Sequence, residues 1–289
     1  MGKVTVGATI AQSFRYIGEG WRGAWGAMLL LVWLTAATQI IRVLKPDWVL
    51  MSLLGPILTA AATTMAVGAL YRLRFSQDHA GDGAYAVGPA GFQWGGLEWR
   101  VLGANILVGL IIGVILVVLL IVWAIGIGAA AVGNPEIAQA IQSGDQSEKT
   151  AAVMRLMVGP GGIISAIILI PSAVGLVYLS ARLSLLTTLA ADTGRFDFGR
   201  AWSLTRGVTG AIFVAMLVIY LAVLLMGVVV GFVIGIGATL GGHAEAARQW
   251  GGAIGETLGS AVSAPLFAGL ALYVYRTQRG DPNIAATFA

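Results

Sequence analysis

The stretch that decides the fold is VLGANILVGLIIGVILVVLLIVWAIGIGAAAV, residues 101–132, which contains no charged side chain. At about 1.5 Å per residue, a helix of this length exceeds the roughly 30 Å hydrocarbon core of a bilayer, yet it is too short for two crossings and a turn. A second uncharged run covers residues 207–241. We expect each run to form one spanning helix that tilts or continues past the lipid headgroups.

The composition of the whole chain agrees with this expectation. Apolar residues make up 58% of the 289 residues and charged residues 10%, whereas about 25% of the residues in a soluble domain are charged. A soluble globular fold is therefore excluded. The chain has no cysteine, which excludes disulfides and thiolate metal sites. We predict a single membrane domain over residues 1–289.

Four further windows are long and apolar enough to cross a membrane, since a spanning helix needs about 20 mostly apolar residues. These windows are residues 25–44, 49–71, 158–181 and 254–275. Together with the two uncharged runs, they predict an all-α integral membrane protein with six transmembrane helices.

The distribution of positive charge predicts the orientation, because loops that remain in the cytoplasm carry an excess of Lys and Arg. Six spans place both termini and the segments 72–100 and 182–206 on one side. That side carries twelve of the 17 basic residues, namely Lys3, Arg15, Arg22, Arg72, Arg74, Arg100, Arg182, Arg195, Arg200, Arg206, Arg276 and Arg279. We therefore expect cytoplasmic termini and residues 133–157 outside.

One two-span pattern recurs three times along the chain. Each copy opens with two aromatic residues and a Trp: Phe14, Tyr16 and Trp21; Phe92, Trp94 and Trp99; Phe196, Phe198 and Trp202. Each copy ends with Gly, Tyr and Arg on adjacent turns: Gly68, Tyr71 and Arg74; Gly175, Tyr178 and Arg182; Gly269, Tyr273 and Arg276. The pattern predicts three parallel repeats, at about residues 10–75, 90–185 and 195–279, related by an axis along the membrane normal.

The aromatic segments are predicted to form interfacial helices at the cytoplasmic face, one before each repeat. Trp and Tyr favour the membrane interface, and Arg interacts there with lipid phosphates. The predicted lipid-anchoring residues are Trp21, Trp99, Trp202, Tyr71, Tyr178, Tyr273, Arg74, Arg182, Arg206 and Arg276. Such residues are ordinary interface anchors in many membrane proteins, so they predict position more than activity.

Two glycine stripes suggest where helices pack. One stripe has a glycine at every fourth position in the fifth span, and the other does so towards the sixth: Gly227, Gly231 and Gly235; Gly251, Gly255 and Gly259. Small residues at this spacing let helix backbones approach closely in a membrane. The alternative is a flexible gate.

Residues that could carry chemistry are scarce. Glu256 is the only carboxylate at spanning depth and therefore a candidate intramembrane polar site. The two histidines, His79 and His243, fall on opposite sides in the predicted topology, so they cannot share a metal ion. The sequence contains no HExxH motif, no GxSxG motif and no P-loop GxxxxGK(S/T) motif. We predict no catalytic residue, no metal and no cofactor.

The segment YLSARLSLLTTLAADTGRFDFGRAWSLTRG, residues 178–207, carries an Arg-Leu-Ser-Leu stretch at 182–185 and Ala-Trp-Ser-Leu-Thr-Arg-Gly at 201–207. It resembles bacterial six-span proteins that are similar to the membrane domain of glycerophosphoryl diester phosphodiesterases. Members often continue with Gly-Asn-x-x-Arg, where this chain has Val208, Thr209 and Gly210. The resemblance implies a six-span fold in the bacterial inner membrane. It argues against the phosphodiesterase activity, which lies in a separate soluble barrel that this sequence lacks.

Three functions remain open. The first is a non-enzymatic scaffold or accessory subunit that binds membrane lipids, other membrane subunits or a second copy of itself, with no role for nucleic acid. The second is a transporter or channel for small molecules or lipids, although spans with few ionisable residues make poor ion paths. The third is an enzyme acting on lipid headgroups, with Arg182, Arg195, Arg200 and Arg206 binding phosphate and Asp192 or Asp197 as the base. We favour the first.

Overall fold

The computed structural model describes residues 4–45, 47–79, 81–132, 158–240 and 244–280, and the single positions 139, 150, 151, 154 and 155. These residues form helices and turns and no strand. Two 3-10 turns lie at Gly83–Tyr85 and Pro89–Gly91. The α-helices are α1 (Val6–Gly23), α2 (Trp25–Leu44), α3 (Val49–Asp78), α4 (Gly96–Val132), α5 (Pro160–Thr193), α6 (Phe198–Thr205), α7 (Thr209–Leu240) and α8 (Ala244–Arg279).

Within the described residues, six helical segments are long and apolar enough to cross a membrane, which confirms the predicted all-α, six-span fold. They are Trp25–Leu44, Val49–Asp78, Pro89–Gly126, Gly161–Thr193, Thr209–Ile234 and Trp250–Arg279. The uncharged run 101–132 lies within α4, which has 37 residues, and residues 209–240 of the second run form α7, which has 32. The largest difference from the predicted windows is at α5, which continues twelve residues beyond 181 to Thr193.

The chain divides into two compact units. Unit A comprises residues 1–105 and 181–289, and unit B comprises residues 106–180. The prediction of one domain over the whole chain stays a prediction.

Helix α1 packs into unit A along one face. Thr9, Ser13, Tyr16 and Gly20 are buried at a spacing of three or four residues, the period of an α-helical face. The Tyr16 ring occupies the space left by a missing side chain at Gly269 of α8, where a Cβ would lie 2.7 Å from the Tyr16 Cβ. The first aromatic segment is therefore a helix packed against the bundle.

The three aromatic segments differ in local structure. The first lies in the 18-residue α1 and the third includes the eight-residue α6. The second is not an interfacial helix, because residues 92–95 are irregular and Trp99 belongs to the first turn of α4. The preceding backbone explains the difference, since Ala90 and Gly91 both adopt positive φ, at 56° and 81°. The threefold repeat stays a prediction.

The interior of unit A lies around the carboxyl-terminal turns of α3, α5 and α8. Phe75, Leu186, Leu189 and Tyr275 are each 1% exposed or less. Short and long side chains alternate where the helices meet, as at Gly20 of α1, whose missing side chain admits Leu70 of α3. This packed region positions the polar residues described below.

Unit B contains the part of α4 that follows residue 105 and the part of α5 that precedes residue 181. Trp123 Nε1 donates a hydrogen bond to Ser165 Oγ at 2.9 Å. Gly126 faces Ile164, whose Cγ2 would lie 2.9 Å from a Cβ at the glycine. These contacts hold the two helical segments side by side.

Candidate functional site

A polar cluster centred on Asp192 lies in unit A, where the last turns of α5 and α8 meet the residues after α3. The Asp192 side chain is only 2% exposed. Its Oδ2 accepts hydrogen bonds from the Tyr275 hydroxyl at 2.6 Å and from Arg279 Nη1 at 2.6 Å. The His79 Nε2 lies 3.1 Å from Oδ1. A buried carboxyl group is costly unless it is paired and hydrogen-bonded, and these three side chains supply the partners that Asp192 needs at this position.

Tyr85 joins the same cluster through the backbone. Its hydroxyl donates to the Asp192 carbonyl oxygen at 2.7 Å, and its ring stacks on His79 with the centroids 4.7 Å apart. Burial raises the pKa of Tyr85 above its ordinary value, the Asp192 carboxylate raises it further, and the Arg100 guanidinium opposes both effects. Asp82 caps the turn by accepting the Ala84 N–H at 2.9 Å. The Tyr85 hydroxyl therefore attaches the segment after α3 to α5, while its ring packs on His79.

Local sequence explains why α5 reaches this cluster. Leu183, Leu185, Leu186 and Leu189 are buried apolar residues that continue the packing of the helix beyond Arg182. The helix ends at Gly194, which has a φ of +71° and donates its N–H to the carbonyl of residue 190 at 2.9 Å. A glycine in this conformation is a common helix terminator because other residues are strained there. Asp192 thus lies in the last turn of a packed helix.

A second buried pair joins α3 to the start of α4. Arg72 and Glu98 form two parallel hydrogen bonds, Nε to Oε1 at 2.9 Å and Nη2 to Oε2 at 2.8 Å, with side chains 3% and 0% exposed. Glu98 also accepts the Gly95 N–H at 2.8 Å, and Arg72 donates to the Ala84 carbonyl. Gly68 makes room for the carboxylate, since a Cβ there would lie 2.8 Å from Oε1. This pair stabilises the turn between the two helices.

Two of the arginines predicted to anchor the protein in lipid are buried in ion pairs. Arg74 pairs with Glu19 of α1 at 2.8 Å, and Arg276 pairs with Asp78, with arginine side chains 6% and 4% exposed. The Arg74 guanidinium also lies 5.4 Å from the centre of the Tyr16 ring. Burial raises the pKa of the Tyr16 hydroxyl well above its ordinary range. These arginines join α1, α3 and α8 and leave little surface for a headgroup.

The other predicted anchors fall into two groups. Tyr71 and Tyr273 are buried, and Thr188 Oγ1 lies 3.2 Å from the Tyr71 hydroxyl. The more accessible group contains Trp21, Trp99, Tyr178, Arg182, Trp202 and Arg206, all partly or largely exposed. Within that group, the Arg182 guanidinium lies over the Trp202 ring, 4.8 Å from its centre. Anchoring by the accessible group stays a prediction.

The glycine stripes of α7 and α8 lie next to each other in unit A. A Cβ at Gly251 would lie 3.6 Å from the Cα of Gly231, and one at Gly255 would lie 3.9 Å from the Cα of Gly227. In the opposite direction, a Cβ at Gly227 or Gly231 would meet no atom within 4 Å. Gly259 faces Val223 rather than a glycine, and Gly235 lies near the end of α7. We call this contact between the two stripes the glycine seam. Within it, the glycines of α8 are the ones whose Cβ would point towards the backbone of α7.

The polar candidates named from the sequence are dispersed. Glu256 is exposed on α8. Asp197, one of the two candidate bases, accepts the backbone N–H of Arg200 at 2.9 Å and caps α6, while Asp192 holds the bonds described above. The other histidine, His243, and most of the 133–159 loop lie outside the described residues. Among the described residues, no group of three His, Asp or Glu side chains is placed to hold a metal ion.

Sequence reasoning named Asp192 as a candidate base and missed the cluster around it. His79 and Tyr85 come from one part of the chain and Tyr275 and Arg279 from another, and no spacing rule connects either part with Asp192. The only local signal was the apolar face of residues 183–189, which continues the helical period past Arg182.

Comparison of this chain with family models, with curated proteins and with solved structures gives no match. The resemblance to the membrane domain of the phosphodiesterases therefore stays an expectation that rests on the motifs alone.

Proposed function

We propose that this chain is a non-enzymatic membrane protein of the bacterial inner membrane, with both termini in the cytoplasm. It acts as a scaffold or accessory subunit that binds lipids and the spans of other membrane proteins. The observation that supports this proposal is the exposed apolar surface of the third and fourth spans.

The most apolar windows of Pro89–Gly126 and Gly161–Thr193 have none of their residues buried inside the chain. Leu110, Val114, Val117 and Ile121 form one face of α4 at helical spacing and are 54–63% exposed. In a bilayer such a face is covered by lipid tails or by another helix. Where another helix covers it, close packing between the two helices is the main source of stability. This surface supports a binding role.

The polar interior of unit A supports a non-enzymatic role. Asp192, Glu98, Arg74 and Arg276 all make internal hydrogen bonds or ion pairs that join helices. These side chains contribute to the fold, so removing one of them should first change the stability of the protein. The transporter remains the alternative, and substrate flux in reconstituted vesicles distinguishes it from a scaffold.

The test is purification of the tagged full-length protein from native membranes in a mild detergent, with its proteins and lipids identified by mass spectrometry. One variant replaces Leu110, Val114 and Val117 of α4 with Ala. A matched control replaces Leu217, Leu221 and Leu224 of α7, which have the same spacing and are 42–61% exposed.

We expect the wild type and the α7 control to retain a membrane protein or a lipid enriched above its bulk fraction, and the α4 variant to lose it. The proposal fails if the wild type retains neither, or if both triple variants behave alike.

A further inference from the structure

Several guanidinium groups surround the Asp192 cluster at the surface of unit A. Arg100, Arg195 and Arg200 are exposed, and the Arg279 side chain is 50% exposed. The structure records no hydrogen bond or ion pair between the side chains of the first three and any described residue. Asp192 pairs with Arg279, and its other recorded partners are Tyr275 and His79 rather than the first three arginines.

The turn after α5 brings these side chains together. The Arg100 guanidinium lies against Gly194, where a Cβ would be 3.0 Å from its Cζ. The neighbouring Phe196 ring packs on Gly103 of α4, where a Cβ would be 3.0 Å from the ring Cζ. Arg195 lies between these two contacts in the sequence. The turn is thus held against the first two turns of α4.

Helix α6 brings in the remaining guanidinium. It packs against α8, the helix that carries Arg279. Its Arg200 N–H is bound by Asp197, the last residue of the turn, whose first residue, Gly194, contacts Arg100. Arg279 pairs with Asp192, two residues before Gly194, so all three arginines are linked to the same turn.

The other carboxylates near this region are turned towards the backbone. Asp82 accepts the Ala84 N–H at 2.9 Å, and Asp197 accepts the Arg200 N–H at 2.9 Å. Each caps a turn or helix. They reduce the net positive charge without forming an ion pair with Arg100 or Arg200.

We propose that the turn at Gly194–Asp197 and the surrounding Arg100, Arg200 and Arg279 form a binding site for a phosphate group. Guanidinium is planar and offers paired N–H donors that match two phosphate oxygens, and several such groups around one point favour a multiply charged oxyanion. The inference rests on the proposed lipid-binding function and names the headgroup chemistry. The source is either an anionic phospholipid or free phosphate.

The test uses the purified full-length protein in a neutral detergent. Calorimetry measures binding of inorganic phosphate in one arm. In the other, mixed micelles containing phosphatidylglycerol are compared with micelles containing phosphatidylcholine. The variants are Arg100→Gln and Arg200→Gln, whose side chains are exposed. Arg15→Gln, at an exposed position on α1, is the control for the same loss of charge. Arg279→Gln is excluded because it would also release Asp192.

We expect each of the two variants to bind about tenfold more weakly than the wild type, since charge-assisted hydrogen bonds contribute on this scale, with the control unchanged. Loss confined to phosphatidylglycerol identifies a lipid headgroup, and loss of inorganic phosphate binding identifies a soluble source. A third variant, Arg100→Lys, keeps the charge without the paired donors and should fall between the wild type and Arg100→Gln.

The proposal is overturned if neither probe binds the wild type, or if Arg15→Gln weakens binding as much as Arg100→Gln and Arg200→Gln. The result is independent of the purification experiment above. If the wild type retains a protein or a lipid and phosphate binding is unchanged in these variants, the site alone is rejected. If the variants lose phosphate binding and the wild type retains neither a protein nor a lipid, the scaffold alone is rejected.

Discussion

Glu98 shows how single residues determine the stability of this membrane protein. Its carboxylate is fully buried and bound by Arg72 through two parallel hydrogen bonds. Taking either charge out of water costs several kcal/mol, and the partner offsets that cost only while it is present. The same reasoning applies to Asp192, which depends on Tyr275 and Arg279. Changes at these residues therefore test the fold before they test any activity.

Replacing Glu98 with Leu should lower the free energy of unfolding by about 3–5 kcal/mol, because it leaves the Arg72 guanidinium buried without a counter-charge. The double variant Arg72→Met with Glu98→Leu should recover much of this loss, since two apolar side chains of similar size replace the pair. Thermal or denaturant unfolding in detergent measures both. Arg15→Met at an exposed position is the control. A Glu98→Leu variant as stable as that control would contradict the buried pair.

The stability of unit A should also fall at alkaline pH. Burial raises the pKa of Tyr85 above its ordinary value. The unfolded chain then loses this proton at a lower pH than the folded protein. The contribution of Tyr85 to the free energy of unfolding is therefore complete below about pH 10, and it is lost as the pH rises through the pKa of Tyr85 in the folded protein. The unfolding midpoint should decline more steeply above pH 10 in the wild type than in Tyr85→Phe. Parallel curves for the two proteins would argue against this assignment.

At the scale of helices, the glycine seam between α7 and α8 is asymmetric. From the spacing alone, Gly231 and Gly255 are equivalent positions at which a large side chain should disrupt packing. In the structure, a Cβ at Gly255 points towards the other backbone, whereas a Cβ at Gly231 meets no atom within 4 Å. The Cβ of a helical residue has a direction set by the helix, so sequence spacing identifies the seam without identifying which glycine must stay small.

We expect Gly255→Leu to destabilise the bundle by about 1–3 kcal/mol, because a Cβ there is already in van der Waals contact with the Gly227 backbone and the rest of the side chain would crowd it. Gly252→Leu is a matched control about one helical turn before Gly255, since Gly252 is exposed and a Cβ there meets no atom within 4 Å. That variant should be neutral or slightly stabilising, as Leu favours the helix. Unfolding midpoints in detergent compare them. Equal stability of the two variants would show that the seam is not closely packed.

At the scale of the whole molecule, two features shape the proposed function. The buried polar groups described here lie in unit A, whereas the part of α4 in unit B presents an exposed apolar face. A membrane protein gains little from burying apolar side chains against its own helices, because lipid tails are equally apolar. A helical segment without internal burial is therefore stable in lipid and remains open to another span.

The predicted topology can be tested directly because the chain contains no cysteine. Cysteine substituted at Asp47, in the turn between α2 and α3, should react with a membrane-impermeant maleimide in intact cells. Cysteine substituted at Ser203 in α6 should react only after the membrane is opened. Both positions are exposed, so access depends on the side of the membrane alone. The reverse pattern would place the termini outside.

The sequence by itself determined that this is a six-span, all-α membrane protein. Charge-free runs such as 101–132 decide this because hydropathy and length are local properties, and a bilayer requires each span to satisfy its own backbone hydrogen bonds. It also indicated the glycine seam, since four-residue spacing is a property of a single helix. The aromatic and arginine anchors were harder to predict from the sequence, because the same residue types occur at a membrane interface and in buried pairs.

Only the tertiary structure decided how Asp192 meets His79 and Tyr275, and that Arg74 and Arg276 are buried rather than open to lipid. These contacts join residues far apart in the chain, so no local pattern specifies them. They follow from the packing of α1, α3, α5 and α8, which brings these side chains together so that one partner of each pair is buried. Their strength depends on how far water is excluded, and burial is a property of the folded chain that no single segment possesses.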